Sequence, residues 1–281
     1  MEYYYHLRLI YFFLAIIFLF VLFQWWSNYR REKKLAQIDR MPFKEEHRKL
    51  LSKIPHYHNL SADDKVKIEH SIKRFVHTKH FIGVKMDLTD EMKVIIAFYA
   101  CLLLLHIDTE NCYDNLKTII LYPSPVVFDS VRNNGGIYTK ENFVIDGQSA
   151  NDTVVLVWHD AKYEAYHLRH DNVIVHEFAH EIDFMDGEVD GVPPLERSKY
   201  HEWTSVLFKD FKKLHEVALK DREWGKYKLL GSYAATNEAE FFAVVTERFF
   251  ESPRSLKRHF PELYEELKSF YKIDPLTLIN H

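Results

Sequence analysis

The string His176-Glu177-Phe178-Ala179-His180 constrains the fold of this 281-residue chain more tightly than any other feature. Two imidazoles four residues apart project from one face of a helix, close enough to share a metal ion, and Glu177 stands beside whatever they hold. Two nitrogens do not complete the site. A catalytic zinc takes three protein ligands and keeps one position for water, so the fold must bring another carboxylate or imidazole to this helix from elsewhere. With 17 His in the chain, an accidental H-E-x-x-H is the competing explanation, and the surroundings decide against it. HDNVIVHEFAHEIDFMDG opens with Asp171 or Asn172 as an N-cap, carries Val173, Ile174, Phe178 and Ile182 at helical spacing, and offers Gly187 as a stop. This reads as a helix with one apolar face and one zinc-binding face. Glu177 is the carboxylate placed to take a proton from water.

Three acidic residues compete for the third ligand position. Asp186 would follow His180 as in zinc sites where the chain turns sharply after the second histidine, but that turn calls for Gly where this chain has Asp183. Glu240, in SYAATNEAEFFAVVTERFF, would lie in the first turn of a later helix and complete a His2Glu set. The same residue also fits a capping box with Asn237, in which it only satisfies backbone donors. On the residues alone both readings of Glu240 stay open. Glu247 shares its face and is a partner to a ligand, a rival ligand, or an ordinary surface carboxylate near Arg248. Asp183, three residues past His180, is either an acceptor for a ligand's second ring N–H or an exposed helix-end carboxylate.

The amino terminus carries a second strong signal. LIYFFLAIIFLFVLF, extended by Trp25 and Trp26, makes an apolar run over about residues 9–26, long enough to cross a bilayer core as one helix. Aromatic residues gather at both ends, and Arg30, Arg31, Lys33 and Lys34 follow it, against Arg8 and Glu2 before it. By the positive-inside rule, everything after residue 30 faces the cytoplasm. The expected location is the cell inner membrane, with a single pass and the globular part inside. A cleaved secretory leader is the alternative, but no small-residue cleavage site follows the run and the basic charge comes after it. Residues 1–39 are therefore assigned to an anchor and basic juxtamembrane segment, and 40–281 to one globular domain.

The rest of the composition fits an ordinary packed domain, with 47% hydrophobic and 15% aromatic residues. A net charge of −4 gives no electrostatic case for nucleic acid as a partner. Cys101 falls in the apolar run VIIAFYACLLLL and reads as a buried, inert thiol, which with Cys112 suits a reducing compartment. Val94 to Leu105 is too short for a second span and reads as a core helix. Helices are expected over about 61–79, with Ser61 as N-cap, over 89–106, over 196–223, and from about Asn237. KTIILYPSPVVFD reads as two short strands broken at Pro123 and Pro125, and TVVLVWHD as another. Phe143 to Val157 is a candidate edge strand for substrate. His159, His167 and His170 read as surface or loop residues. Helices around a few strands, without strict βαβ alternation, give an α+β class.

HEFAHEIDFMDG with DGVPPL, YAATNEAEFFAVVTERFFESP, LYPSPVVFD, DGQSANDTVVLVW and FPELYEELKSFYKIDPL together resemble the Mlc titration factor A family of zinc peptidases, over about residues 43–276. The resemblance implies a zincin-like metallopeptidase domain with one Zn2+ held by His176, His180 and Glu240, Glu177 as general base, and Tyr233 of the YAA segment assisting the transition state. It also implies a peptide substrate, with aminopeptidase-like action on short peptides. The hydrophobic run at residues 9–23 departs from the soluble members of that family, so a lipid bilayer joins the expected partners, and a regulatory protein partner does not transfer automatically. The alternative function is a binding protein that captures a transcription factor or membrane partner around a structural zinc. Glu177 favours the enzyme, because a structural site has no use for a base beside an open position.

Overall fold

The computed structural model describes residues 2–107, 112–124, 152–168, 171–220 and 224–279. The chain divides into two compact units, Met1–Pro42 and Phe43–His281. The first is a single helix, α1 (Glu2–Arg40), whose side chains Phe12, Phe18, Phe20 and Trp25 are exposed. Among the described residues it is the one helix long and apolar enough to cross a membrane by length and composition. At the end of its apolar stretch Trp25 stacks on Tyr29 and the Arg30 guanidinium lies over the Trp26 ring, 4.7 Å from its centroid.

The second unit is mostly helical around a small parallel sheet. Short helices α2 (Glu45–Leu51) and α3 (Pro55–His58) lead into α4 (Ala62–Thr78), which starts where the Ser61 hydroxyl accepts the Asp64 N–H. Strand β1 (His80–Gly83) follows, then α5 (Asp90–Leu103), begun by Thr89. Every residue from Val94 to Leu104 is buried, as expected for a helix apolar on all sides and too short to span a bilayer. Strand β2 (Thr118–Tyr122) pairs in parallel with both β1 and β3 (Thr153–Val157), giving the order β1-β2-β3. Ile119 and Leu121, with Val154 and Leu156, alternate inward.

Two elements depart from the sequence expectation. The residues WHD belong not to a strand but to α6 (Trp158–Tyr166), which leaves β3 without a loop. Its buried stripe is Trp158, Ala161 and Ala165, a helical spacing hidden beside a β-branched run. The strand β1 was also unexpected, since it is only four residues long and buries Phe81 alone. The second half of the expected break at Pro123 and Pro125, residues 126–129, lies outside the described residues, as do residues 143–151 of the candidate substrate strand and His170.

The helix α7 (Val173–Asp183) carries the histidine string, and α8 (Arg197–Lys220), α9 (Glu238–Glu251), α10 (Pro253–His259) and α11 (Pro261–Tyr271) complete the domain. The helix α7 packs against α5, α9 and β3. Its Phe178 is fully buried, with ring centroids 5.7 Å from Phe75 and 5.0 Å from Tyr113. After Asp183 one turn of 3-10 helix, Phe184–Asp186, ends at Gly187, whose φ of 100° is the left-handed conformation that glycine adopts without a Cβ clash.

Candidate metal centre

The residue that caps α7 is Asn172, not Asp171: its Oδ1 accepts the Val175 N–H at 3.1 Å and its backbone carbonyl accepts the His176 N–H at 2.9 Å. One turn later the two histidines meet, with Nε2 to Nε2 at 3.2 Å. The helix α9 supplies the third group. Its N-cap is Asn237, whose Oδ1 accepts the Glu240 N–H at 2.8 Å, while the Glu240 side chain runs to the histidines. Glu240 Oε2 lies 3.1 Å from His176 Nε2 and 3.4 Å from His180 Nε2. Asn237 thus caps α9 as expected, but the Glu240 carboxylate faces the histidines, so its side chain has the geometry of the cluster and not that of a capping box.

These three atoms form a group able to hold a metal ion. Ligand atoms about 2.0–2.1 Å from a tetrahedral zinc stand about 3.3–3.4 Å from one another, and the separations here, 3.1, 3.2 and 3.4 Å, fit that spacing. Two imidazole nitrogens and a carboxylate are also a donor set that zinc accepts. The group is closed on one side and open on the other. The His176 side chain is 4% exposed, against 22% for His180 and 18% for Glu240. An accessible side is what a catalytic site needs and a structural one lacks.

Behind the cluster Glu247 is buried, and its Oε1 accepts from His176 Nδ1 at 2.6 Å. This fixes which ring nitrogen keeps its proton and leaves Nε2 for the metal. Of the alternatives for Glu247, the geometry is that of a partner to a ligand. Asp183 does not share that role in its hydrogen bonding: it is buried, and its Oδ2 accepts the Gly191 N–H at 2.9 Å, tying the chain after α7 back to the helix. The Asp186 carboxylate accepts the Glu188 N–H in the exposed turn. Tyr233 lies in a 3-10 turn before α9, its ring 5.9 Å from that of His176 and its hydroxyl near enough for the Glu240 charge to act on it. Glu177, half-buried, is close enough for its charge to act on both His176 and Tyr233. His159 and His167 are exposed and stand apart from the cluster.

The cluster's charges are strongly coupled. Burial alone would lower the His176 pKa, but hydrogen bonds to Glu240 and Glu247 overcome it and raise it to about 10. Burial pushes the Glu240 carboxyl up, and the two histidines more than reverse this, holding it well below the usual carboxylate range. Burial, then the Glu240 charge, push the Tyr233 hydroxyl far above its ordinary value. Sequence reasoning passed over Glu181, one turn beyond Glu177 on α7, whose pKa rises to about 7 through burial, with the Lys79 charge opposing. It also passed over Glu251, whose carboxylate meets the Asn172 side chain. The available signal was the pair Glu247 and Glu251, since like charges at i, i+4 disfavour a free helix and so imply partners from elsewhere.

Residues 26–272 match the family described as glucose-regulated metallo-peptidase M90. The chain belongs to that family. Relatives of this M90 chain include an uncharacterized protein of Synechocystis, 36% identical over 80% of this chain and 82% of its own length. The Mlc titration factor A of Serratia proteamaculans is 34% identical over 68% of this chain and 72% of its own. That of Klebsiella pneumoniae is 30% identical over 80% and 84%. The expected membership of the Mlc titration factor A family is therefore borne out. An M90 chain is a metallo-peptidase at the level of its family, and the family name implies a metal.

Proposed function

We propose that this M90 chain is a zinc-dependent peptidase with a zincin-like catalytic domain, in which His176, His180 and Glu240 hold one Zn2+. The observation that carries the reading is the spacing of those three ligand atoms beside an accessible face. Zinc, when bound, supplies a Lewis acid for water and for the scissile carbonyl. Glu177 takes the proton of the attacking water on its carboxylate and passes it to the leaving amine. Tyr233, whose ring lies 5.9 Å from that of His176, donates its hydroxyl to the developing oxyanion, a contribution of about 10²–10³ in rate where one such donor is lost. Glu247 holds the His176 ring. The substrates are short peptides with a free amino terminus.

The helix α1 tethers the domain to the inner membrane, with residues 1–39 as anchor and juxtamembrane segment and the domain from residue 40 in the cytoplasm. The support is its length, its apolar composition and the basic cluster after it. The name of the relatives, a titration factor for Mlc, is the ground for a regulatory protein partner of this chain.

The deciding experiment measures zinc content and cleavage of chromogenic aminoacyl substrates by the full-length chain, with Glu177→Gln beside it. The variant is expected to keep stoichiometric zinc and lose about 10²–10⁴ of the rate. Undiminished activity in Glu177→Gln rules out the assigned base. Bound zinc without cleavage of any peptide favours the regulatory binding protein. Release from membranes by alkaline carbonate rules out the anchor.

A further inference from the structure

We propose that Asn172 is the positioning residue of the metal centre, holding Glu247, and through it the His176 ring, by a buried network that reaches Glu251. The proposal rests on the zinc reading of His176, His180 and Glu240. Asn172 is fully buried, and each of its polar atoms has a task. Its N–H donates to Glu247 Oε2 at 3.1 Å, while the other oxygen of that carboxylate takes the His176 Nδ1 proton. Its carbonyl accepts the His176 N–H and its Oδ1 the Val175 N–H. Its Nδ2 donates to Glu251 Oε1 at 2.7 Å, which joins α7 to the far end of α9.

One residue therefore touches the first ligand twice, once through its backbone and once through the carboxylate behind its ring. The N–H reaches Glu247 only while the backbone of Asn172 keeps its orientation. That orientation is set by the side-chain amide, anchored on α9 by Glu251 and on α7 by the Val175 N–H.

The residue type follows from this. Asp, Ser and Thr cap helices as well as Asn or nearly so, and α7 alone would accept any of them. None of them offers an amide donor for Glu251 beside the capping oxygen. Asp would in addition place a third carboxylate against Glu247 and Glu251 in a buried setting, where unpaired charge is heavily disfavoured. Partners of ligating histidines typically govern metal affinity by 10- to 100-fold, and Asn172 acts one bond further out through such a partner.

The test uses the full-length chain in detergent, with zinc affinity read by competition against a chelating dye and melting of the metal-free protein read in parallel. Asn172→Asp keeps the cap and removes the donor; its zinc affinity is expected to fall about tenfold or more. The double variant Asn172→Asp with Glu251→Gln reverses the direction of the hydrogen bond and is expected to recover most of that loss. A merely structural role would lower the melting temperature and leave the zinc affinity of the folded protein unchanged. Affinity within twofold of wild type in Asn172→Asp, or a loss that the double variant leaves in place, overturns the proposal. If Asn172→Asp fails to fold, Asn172→Ser, which also keeps a capping oxygen and removes the amide, carries the same measurement against the same thresholds. Absence of zinc binding in the wild-type chain is a distinct result, and it overturns the proposed function instead.

Discussion

Zinc entering the cluster must displace a proton from His176, and the number of protons released is a direct measure of the electrostatics described above. A metal binds the neutral imidazole, whereas Glu240 and Glu247 hold the His176 pKa at about 10 without metal. At pH 7 the imidazole is then almost wholly protonated, and removing that proton weakens apparent zinc affinity by about three decades, on the order of 4 kcal/mol. Apparent affinity is expected to rise about tenfold per pH unit from 7 towards 9 and to level off near 10. Calorimetric titration with zinc in buffers of different ionisation enthalpy counts the protons, and about one or more per zinc is expected at pH 7.5. Glu247→Gln keeps an acceptor for Nδ1 but removes a negative charge, so its proton release and pH slope should both shrink. The metal-free fold carries the same linkage. A raised histidine pKa contributes stability that is complete below the ordinary value of 6.5 and lost as pH rises through about 10. Zinc-loaded protein should not share that loss. A flat affinity between pH 7 and 9 with no proton released would refute the coupling of His176 to the two carboxylates.

Two further perturbations test the scaffold around the site. Burial lowers the His56 pKa from 6.5 to about 4, against a hydrogen bond of its Nε2 to the Phe250 carbonyl. Its contribution is complete above pH 6.5 and lost as pH falls towards 4, about 3 kcal/mol in all. Denaturant titrations of His56→Gln should show a flatter pH dependence in that window, and an identical fall in both proteins would refute it. Phe178 lies between the two histidines in sequence and points into the core against Phe75 and Tyr113. Phe178→Ala should cost about 3–5 kcal/mol, read as a drop of about 10 °C in melting temperature for a domain of this size. A loss below 1 kcal/mol would mean that the site helix is not anchored there.

What the sequence disclosed is what short-range chemistry determines. Ser61, Asn172 and Asn237 cap their helices through residues three positions away, so each start was legible in a window of four. His176 and His180 are likewise one turn apart. Glu240 was legible only as one of two alternatives, because nothing local distinguishes a capping-box glutamate from a ligand; in the fold Asn237 caps the helix and the Glu240 carboxylate faces the histidines. The helix α6 and the strand β1 were missed for a different reason. In α6 a β-branched strand runs into the helix without a breaker, and β1 is too short to show an alternation. The grip of Asn172 on Glu251 spans 79 residues and matches no spacing rule.

The carboxylates of α9 connect these observations. Glu240, Glu247 and Glu251 follow one another at spacings of seven and four, so they lie along one face of the helix. Against them α7 presents His180 and His176 at Glu240, His176 at Glu247, and Asn172 at Glu247 and Glu251, an antiparallel register read from the contacts themselves. Three carboxylates aligned on a half-buried helix face would repel one another and lose hydration without compensation. Asn172 answers the innermost pair with neutral donors, and the outermost carboxylate is left facing two imidazoles. In the absence of metal a proton on His176 supplies the missing positive charge there, which is why its pKa rises so far. A dication in the same place supplies it more fully and frees that proton. The acidic face of α9 is therefore balanced only when the cluster holds either a proton or a metal, and removing Glu247's charge should weaken the hold on both together.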